Sequence, residues 1–542
     1  MINKHNMSKH EKENALFKEM SHEEQEKYFS FRKSAFMHNI DTFYYSVKFR
    51  NDFRLDTQDR LVKRFRRFFN AQYKDLAAYD GIGDFHLDGL NSDLVLKPVT
   101  FSRFYTICLS YPEYFDVFFA PVVPKAADGG ESVTSEFIVQ IRSYMLWMFG
   151  VRDAFENSYR YIKGIAEQFG LEIDFVQENR ADYCWHSNFL SNPEKFFAPE
   201  SFYKMRVDRF KNATYVTNKV GSEDYEIDYV ALGKRSDKVF VRIYLKSREV
   251  IEQNYKPWFF KIWRMNGLIS EYDLFVYERC FEKRNWFYRY YARLEFYLQH
   301  GCNPEMLSYV QRILSGSVKL AEDSLIALAE ELTPPINLIV NVEYQTMRRH
   351  SKSYELIPFK DYTQYGECAR VYRYIDNRKI IIDYLTNDVF RMVKKEGTAR
   401  KSRRELCGFW EALRRTRCID MRMTSDGIKL VRDYNRKLNA ESMKQRVIYS
   451  AVTYGLYVRG LNNDSPMQDC FEALMRMNDN DVHKAMEYKV RKQKLLNRDE
   501  LAGVYESDVI RPFVLLDEDS GVLYGSESVN KPDFLEDLDN DG

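Results

Sequence analysis

The chain has 542 residues, with 81 Lys and Arg against 80 Asp and Glu, a formal net charge of +1 and a mean hydropathy of −0.52. At roughly 100–200 residues per domain this length accommodates two to four domains, and the balanced charge supplies no global field toward nucleic acid or anionic membrane. No run reaches the ~18 consecutive apolar residues of a membrane span. The eight cysteines are scattered without a Cys-x-x-Cys pair, which excludes a disulfide scaffold and a thiolate zinc site. With a polar N-terminus that lacks an apolar signal segment, this points to the cytoplasm. The unusual quantity is the 15% aromatic content, with 39 Tyr and 39 Phe.

In chain order, residues 1–35 read as a charged leader. Ile40–Phe49 (IDTFYYSVKF) is β-branched and aromatic, the composition of a strand. From Asp59 to Lys74, Leu61, Phe65, Phe68 and Phe69 recur at helical spacing, and the opposite face carries Arg60, Lys63, Arg64 and Arg67. The segment from Pro124 (PKAADGGESVTSE) is a surface loop, and a helix is expected over Phe137–Phe149. From Leu171 to Leu298 alternation predicts several strands. Helical spacing returns over Ser315–Leu332 and stops at Thr333-Pro334-Pro335, because proline lacks the amide hydrogen and restricts its predecessor. The expected architecture is α+β. An antiparallel-sheet domain over 36–315 precedes a mainly helical domain over 336–500, and 516–542 is an acidic, disordered tail.

Three expected strands share one property. Alternation places Arg242, Tyr244 and Lys246 on one face of VFVRIYLKS, and Arg180, Asp182, Cys184 and His186 on one face of NRADYCWHSNF. In YARLEFYLQ it groups Arg293, Glu295 and Tyr297. Laid in one sheet, these faces make a polar floor suited to phosphodiester transesterification. A tyrosine attacks phosphorus and stores the bond as phosphotyrosine, and Arg242 and Lys246 favour the phenolate and offset charge on phosphoryl oxygens. A divalent cation, Mg or Mn, would sit on Asp182 and Glu295 with His186 or Glu249 as third ligand. The same residues also suit structural roles: a strand tyrosine with a solvated hydroxyl, a hydrogen-bonded histidine, and a cross-strand Arg–Glu pair.

The order of motifs resembles the replication-initiation-factor family, the rolling-circle plasmid initiators and related conjugative relaxases. Its marks here are Arg180-Ala181-Asp182, then Gly233-Lys234-Arg235-Ser236, then Arg242-Ile243-Tyr244-Leu245-Lys246 with Glu249, then Arg293-Leu294-Glu295, over roughly residues 40–300. The resemblance implies a sequence-specific single-strand nicking enzyme whose nucleophile is Tyr244, with Tyr229 and Tyr255 the nearest other phenols. His186 stands where the family often has a second acid. The His-hydrophobic-His pair of the other large nicking superfamily is absent from the nine histidines. Implied partners are origin duplex and single-stranded DNA, host helicase and polymerase, and a second copy as a homodimer; a membrane is not among them. DNA contacts are assigned to Arg180 and Arg235 and to Arg403, Arg404, Arg414 and Arg415. Those last four lie in the Lys394–Arg417 segment, where nine basic residues accompany Phe409 and Trp410. Alternatives are a conjugative relaxase with the same chemistry and a non-catalytic origin-binding protein.

Overall fold

The computed structural model describes residues 15–30, 36–50, 56–78, 83–84, 94–97, 99–102, 104–120, 135–211, 213–220, 224–253, 256–348, 354–355, 362–418 and 431–432. The Pro124 loop, most of the span beyond 418 and the acidic tail lie outside them. The described residues belong to two compact units. The smaller holds Tyr354–Glu355 paired antiparallel with Val431–Arg432. The larger holds all the other described elements.

The larger unit is α+β, built on one antiparallel sheet of eleven strands. Its strands are β1 (Phe36–Phe49), β2 (Gly83–Asp84), β3 (Val95–Lys97), β4 (Ile107–Tyr111), β5 (Phe115–Phe119), β6 (Phe137–Ile141) and β7 (Ile173–Ser187). A short β8 (Arg206–Asp208) pairs outside the sheet with Phe390–Met392, and β9 (Ala213–Val220), β10 (Asp224–Leu232), β11 (Val239–Leu245) and β12 (Val340–Met347) complete it. The spatial order is β2-β3-β4-β5-β6-β1-β7-β12-β11-β10-β9. Strand β12 follows the proline stop, yet it fills the gap between β7 and β11 and is buried along its whole length. The expected domain boundary at Thr333-Pro334-Pro335 is therefore corrected: the prolines end a helix, and the chain then returns to the middle of the sheet.

Other expectations shift for local reasons. The helix expected over Phe137–Phe149 begins only at Ser143, because Phe137–Ile141 pairs with β1 and β5. Alternation predicts strands as far as Leu298, but every described element between Leu245 and Leu332 is a helix. Arg293 and Glu295 lie in the helix Arg289–His300, since Tyr290, Arg293, Leu294 and Tyr297 are buried at helical spacing. The charged leader is docked rather than frayed over its described part. The helices Ala15–Glu19 and His22–Phe29 bury Leu16, Phe17 and Phe29, and Ser21 and Glu24 form a capping box.

Both sheet faces are covered. On one, Tyr183 meets Tyr374, and Tyr344 donates to the carbonyl of Phe390, so residues after Pro335 supply the cover. On the other, a helical cluster around Trp263, Tyr277 and Phe296 reaches Met37 and Cys184. A second cluster around Phe101 and Phe118 reaches Tyr44 and Met347 on that same face. Between these two apolar clusters lies the polar strip of β7, β12 and β11.

Candidate functional site

Antiparallel register sets the strip. Tyr244 of β11 stands opposite Asn341 of β12, which stands opposite His186 of β7. One step along, Arg242, Glu343 and Cys184 form the next row, followed by Gln345 and Asp182. Alternation thus brings Arg242, Tyr244, Asp182, Cys184 and His186 onto one face, as expected, with Lys246 opening the helix Lys246–Glu252 directly after β11. It also brings Glu343 and Asn341, which sequence reasoning missed because they lie beyond the prolines.

The phenol of Tyr244 donates to Glu343 Oε2 at 2.8 Å and accepts from Asn341 Nδ2 at 2.8 Å and Lys246 Nζ at 3.5 Å. Arg242 holds the other carboxylate oxygen of Glu343 at 2.5 Å. Lys246 is buried at 1% exposure, 3.0 Å from Glu249 and 3.8 Å from Asp41. Asp41 arrives by a β-bulge between Ile40 and Thr42, which places an extra residue opposite β7 and turns its carboxylate onto the polar face. There it accepts from Ser143 Oγ and from Trp147 Nε1, the latter at 2.8 Å. The helix carrying them bends at Gly150, whose φ of 77° a side chain rarely tolerates. Its first turns reach Asp41 and His186, and the remainder packs on Tyr45.

The electrostatics differ from the expected phenolate. Burial and the Glu343 carboxylate push Tyr244 well above the ordinary phenol range, and Lys246 and Arg242 offset this only in part. Burial would favour neutral Lys246, but Glu249, Tyr244 and Asp41 outweigh it and hold the ammonium protonated. Glu343 is lowered because Arg242 outweighs its burial. The arrangement is a protonated phenol hydrogen-bonded to an ionised carboxylate, a geometry in which the carboxylate can take the phenol proton.

The four residues read as metal donors do not converge. Asp182 is gripped by both arms of Arg180, at 2.9 and 2.6 Å, and burial with Glu343 raises its pKa. His186 accepts from Trp263 Nε1 at 3.2 Å, stacks on Trp147, and is driven well below the usual histidine range by burial and Lys246. Glu249 pairs with Lys246. Glu295 lies in the helix Arg289–His300, bonded to Tyr288 and Arg279. Among the described residues no three His, Cys, Asp or Glu side chains are grouped as a metal site, and three of the four donors named from sequence are engaged by cations.

The residues assigned to DNA are dispersed. Arg180 is an inward group, ion-paired to Asp182 and lying over the Tyr44 ring. Arg235 follows Gly233, whose φ of 83° turns the chain where a Cβ would come within 2.9 Å of Phe210. The segment Lys394–Arg417 is not one helix: a short 3₁₀ turn over Lys401–Arg403 precedes the helix Gly408–Arg415. Its Phe409 and Trp410 are buried against Phe36, Phe189, Phe197 and Phe390 and cannot rest on a duplex. Arg403 and Arg415 are exposed, Arg415 pairing with Glu411. Arg404 donates to the carbonyls of Thr398 and Lys395, and half-buried Arg414 lies near Asp383. Tyr229 pairs in register with Tyr244, and Tyr255 falls outside the described residues.

No family model matches the chain, and no curated protein matches its sequence. Among solved structures, the chain is similar to a rolling circle replication initiator protein from Geobacillus stearothermophilus. The match is 12% identical, covers 70% of this chain and 95% of that one, and has a TM-score of 0.32, too loose a superposition to transfer the role of any residue. No described helix is long and apolar enough to cross a membrane.

Proposed function

We propose that this chain is a rolling-circle replication initiator that cuts one DNA strand at an origin by tyrosine transesterification. The observation that carries the reading is the Tyr244 phenol donating to Glu343 while Arg242 and Lys246 flank it. Tyr244 Oη attacks the phosphorus of a single-stranded segment and its proton passes to Glu343. The new O–P bond yields a 5′-phosphotyrosine. The P–O3′ bond breaks, and the leaving 3′ oxygen takes its proton from Lys246. Reversal of these transfers religates the strand. A free 3′ hydroxyl is what a host polymerase extends and a helicase follows, so those are the partners the reading implies. No metal step is included, because three of the four candidate donors are ion-paired, Asp182 to Arg180, Glu249 to Lys246 and Glu295 to Arg279.

The test is a covalent adduct. Full-length protein incubated with supercoiled plasmid carrying its origin, then digested and sequenced by mass spectrometry, should yield a nucleotide-linked peptide containing Tyr244. An adduct on Tyr229 or Tyr255 would move the nucleophile. Tight duplex binding with no cleavage under any condition would leave the chain a non-catalytic origin-binding protein.

A further inference from the structure

Beside the polar strip a series of aromatic rings leads outward from the helical core, which holds Phe259 and against which Trp258 packs. Trp258 stacks on Phe259 with centroids 3.9 Å apart, and Phe259 lies 5.1 Å beneath Lys246 Nζ. From Trp258 the series continues outward, with centroid steps of 5.5 Å to Tyr144, 5.7 Å to Tyr114 and 6.4 Å to Phe149. Trp258, Tyr144 and Tyr114 are half-buried, whereas Phe149 and its neighbour Met148 expose 46% and 53% of their surface. Met265, at 83% exposure, lies on the outward side of the same short helix as Trp258, and exposed Lys261 is between them at helical spacing.

The presentation of Tyr114 is built. Glu113 sits at φ 68°, a left-handed conformation uncommon for a residue with a side chain. The turn it makes closes with Tyr114 N donating to Tyr111 O, and the Tyr114 carbonyl accepts from Arg142 N at 2.8 Å. Arg142 immediately precedes Ser143, which donates to Asp41 of the site. Lys256, next to the start of the Trp258 helix, contributes to the field at Asp41 and at His186. The ring series is therefore continuous with the candidate site at both Trp258 and Tyr144, and it carries Lys256 and Lys261 at its Trp258 end.

We propose that Trp258, Tyr144, Tyr114 and Phe149 form a stacking track for the bases of a single-stranded DNA segment leading to Tyr244. Every base has a π-face, so rings spaced along a cationic path hold a strand without reading its sequence. The track rests on the reading of Tyr244 as the nucleophile and names where the strand flanking the cleaved phosphate lies. A protein partner would also cover exposed rings, but continuity with Lys246 and the accompanying Lys256 and Lys261 favour a polyanion with flat bases; Arg142 is neutralised by Asp116 at 2.6 Å and is not counted.

Phe149→Ala and Tyr114→Ala are compared with wild type for binding a fluorescein-labelled oligothymidylate and an abasic strand of equal length, with circular dichroism confirming the fold. Each substitution should weaken oligothymidylate binding by about 5- to 100-fold, Phe149→Trp should restore it, and the abasic strand should be bound equally by all. Equal loss on the abasic strand, or no loss on oligothymidylate, overturns the track. So does a wild-type dimer that Phe149→Ala converts to a monomer without change in DNA affinity, which would make these rings a self-association surface. Tyr244→Phe keeps its oligothymidylate affinity if the track exists, so binding fails or holds independently of cleavage. Adduct mapping decides the nucleophile separately.

Discussion

Tyr244 and Glu343 lie on neighbouring strands 99 positions apart in the chain, and the phenol donates to the carboxylate at 2.8 Å. Tyr244→Phe removes only the hydroxyl, so nicking and adduct formation should vanish while DNA affinity stays near wild type. Glu343→Gln keeps shape and an acceptor oxygen but cannot take a proton. Nicking should fall by about 10²–10⁴-fold, the range of general base catalysis. An active Glu343→Gln protein would remove the carboxylate from the proton path.

The same pair sets a pH profile. Glu343 lies below and Tyr244 above its ordinary range, so the reactive form, neutral phenol beside carboxylate, persists throughout neutral pH. Single-turnover cleavage should be flat between about pH 6 and about pH 9, whereas attack by a pre-formed phenolate would rise about tenfold per unit there. A log-linear rise would assign the chemistry to phenolate.

His186 gives a stability signature. Its folded pKa is depressed by burial, so below about pH 6.5 the unfolded chain binds a proton that the native chain does not. Stability contributed by the neutral ring is present above that pH and lost as pH falls, by up to about 1.4 kcal/mol per unit. Chemical denaturation from about pH 7.5 to about pH 5 should show this slope, and His186→Phe should flatten it despite losing the bond from Trp263.

Truncation near Thr333 should unfold the sheet rather than leave an active fragment. It removes β12, which pairs with both β7 and β11, and with it Glu343 and Asn341. It also removes the two acceptors that Arg293 finds at Thr333, its hydroxyl and its carbonyl. Circular dichroism of the fragment tests this, and a folded fragment that still cleaves would refute the central role of β12. By contrast, Glu295→Gln in the intact chain should leave cleavage unchanged, since that side chain meets Tyr288 and Arg279 away from Tyr244.

In the Lys394–Arg417 segment, packing and charge separate. Trp410 is fully buried and donates to the Thr386 carbonyl, so Trp410→Ala should cost about 3–5 kcal/mol of stability. Arg403→Ala with Arg415→Ala should leave stability intact. If these exposed groups meet phosphates, the double substitution should flatten the salt dependence of duplex binding by about 0.9 in log–log slope for each phosphate no longer neutralised. An unchanged salt slope would place duplex recognition elsewhere, with the exposed Arg64 and Arg67 of the helix Asp56–Ala78 next in line.

What the sequence by itself determined is local. The period of two sorted Arg242 and Tyr244 from Val241 and Ile243, and Asp182 from Tyr183, because alternation needs no knowledge of neighbours. The spacing of Phe65 and Phe69 likewise marked a helix over Asp59–Lys74, which the structure extends to Asp56–Ala78, and β-branched and aromatic composition marked β1. Where one stretch satisfied both periods the reading failed: YARLEFYLQ alternates, yet Tyr290, Arg293 and Tyr297 also share a helical face, and burial against Ala329 and Thr333 selected the helix. Tertiary structure alone decided the rest. Pro334-Pro335 can end a helix but carries no information about which strands the chain pairs with next. That Val340–Met347 enters between β7 and β11 depends on backbone hydrogen bonds with residues about a hundred or more positions away. Only that pairing puts Glu343 against Tyr244, and only the bulge at Asp41 brings a second carboxylate to Lys246. Their low-dielectric surroundings then reverse the expected charge state, because desolvation and an adjacent carboxylate act on the phenol more strongly than the two cations visible beside it in the sequence.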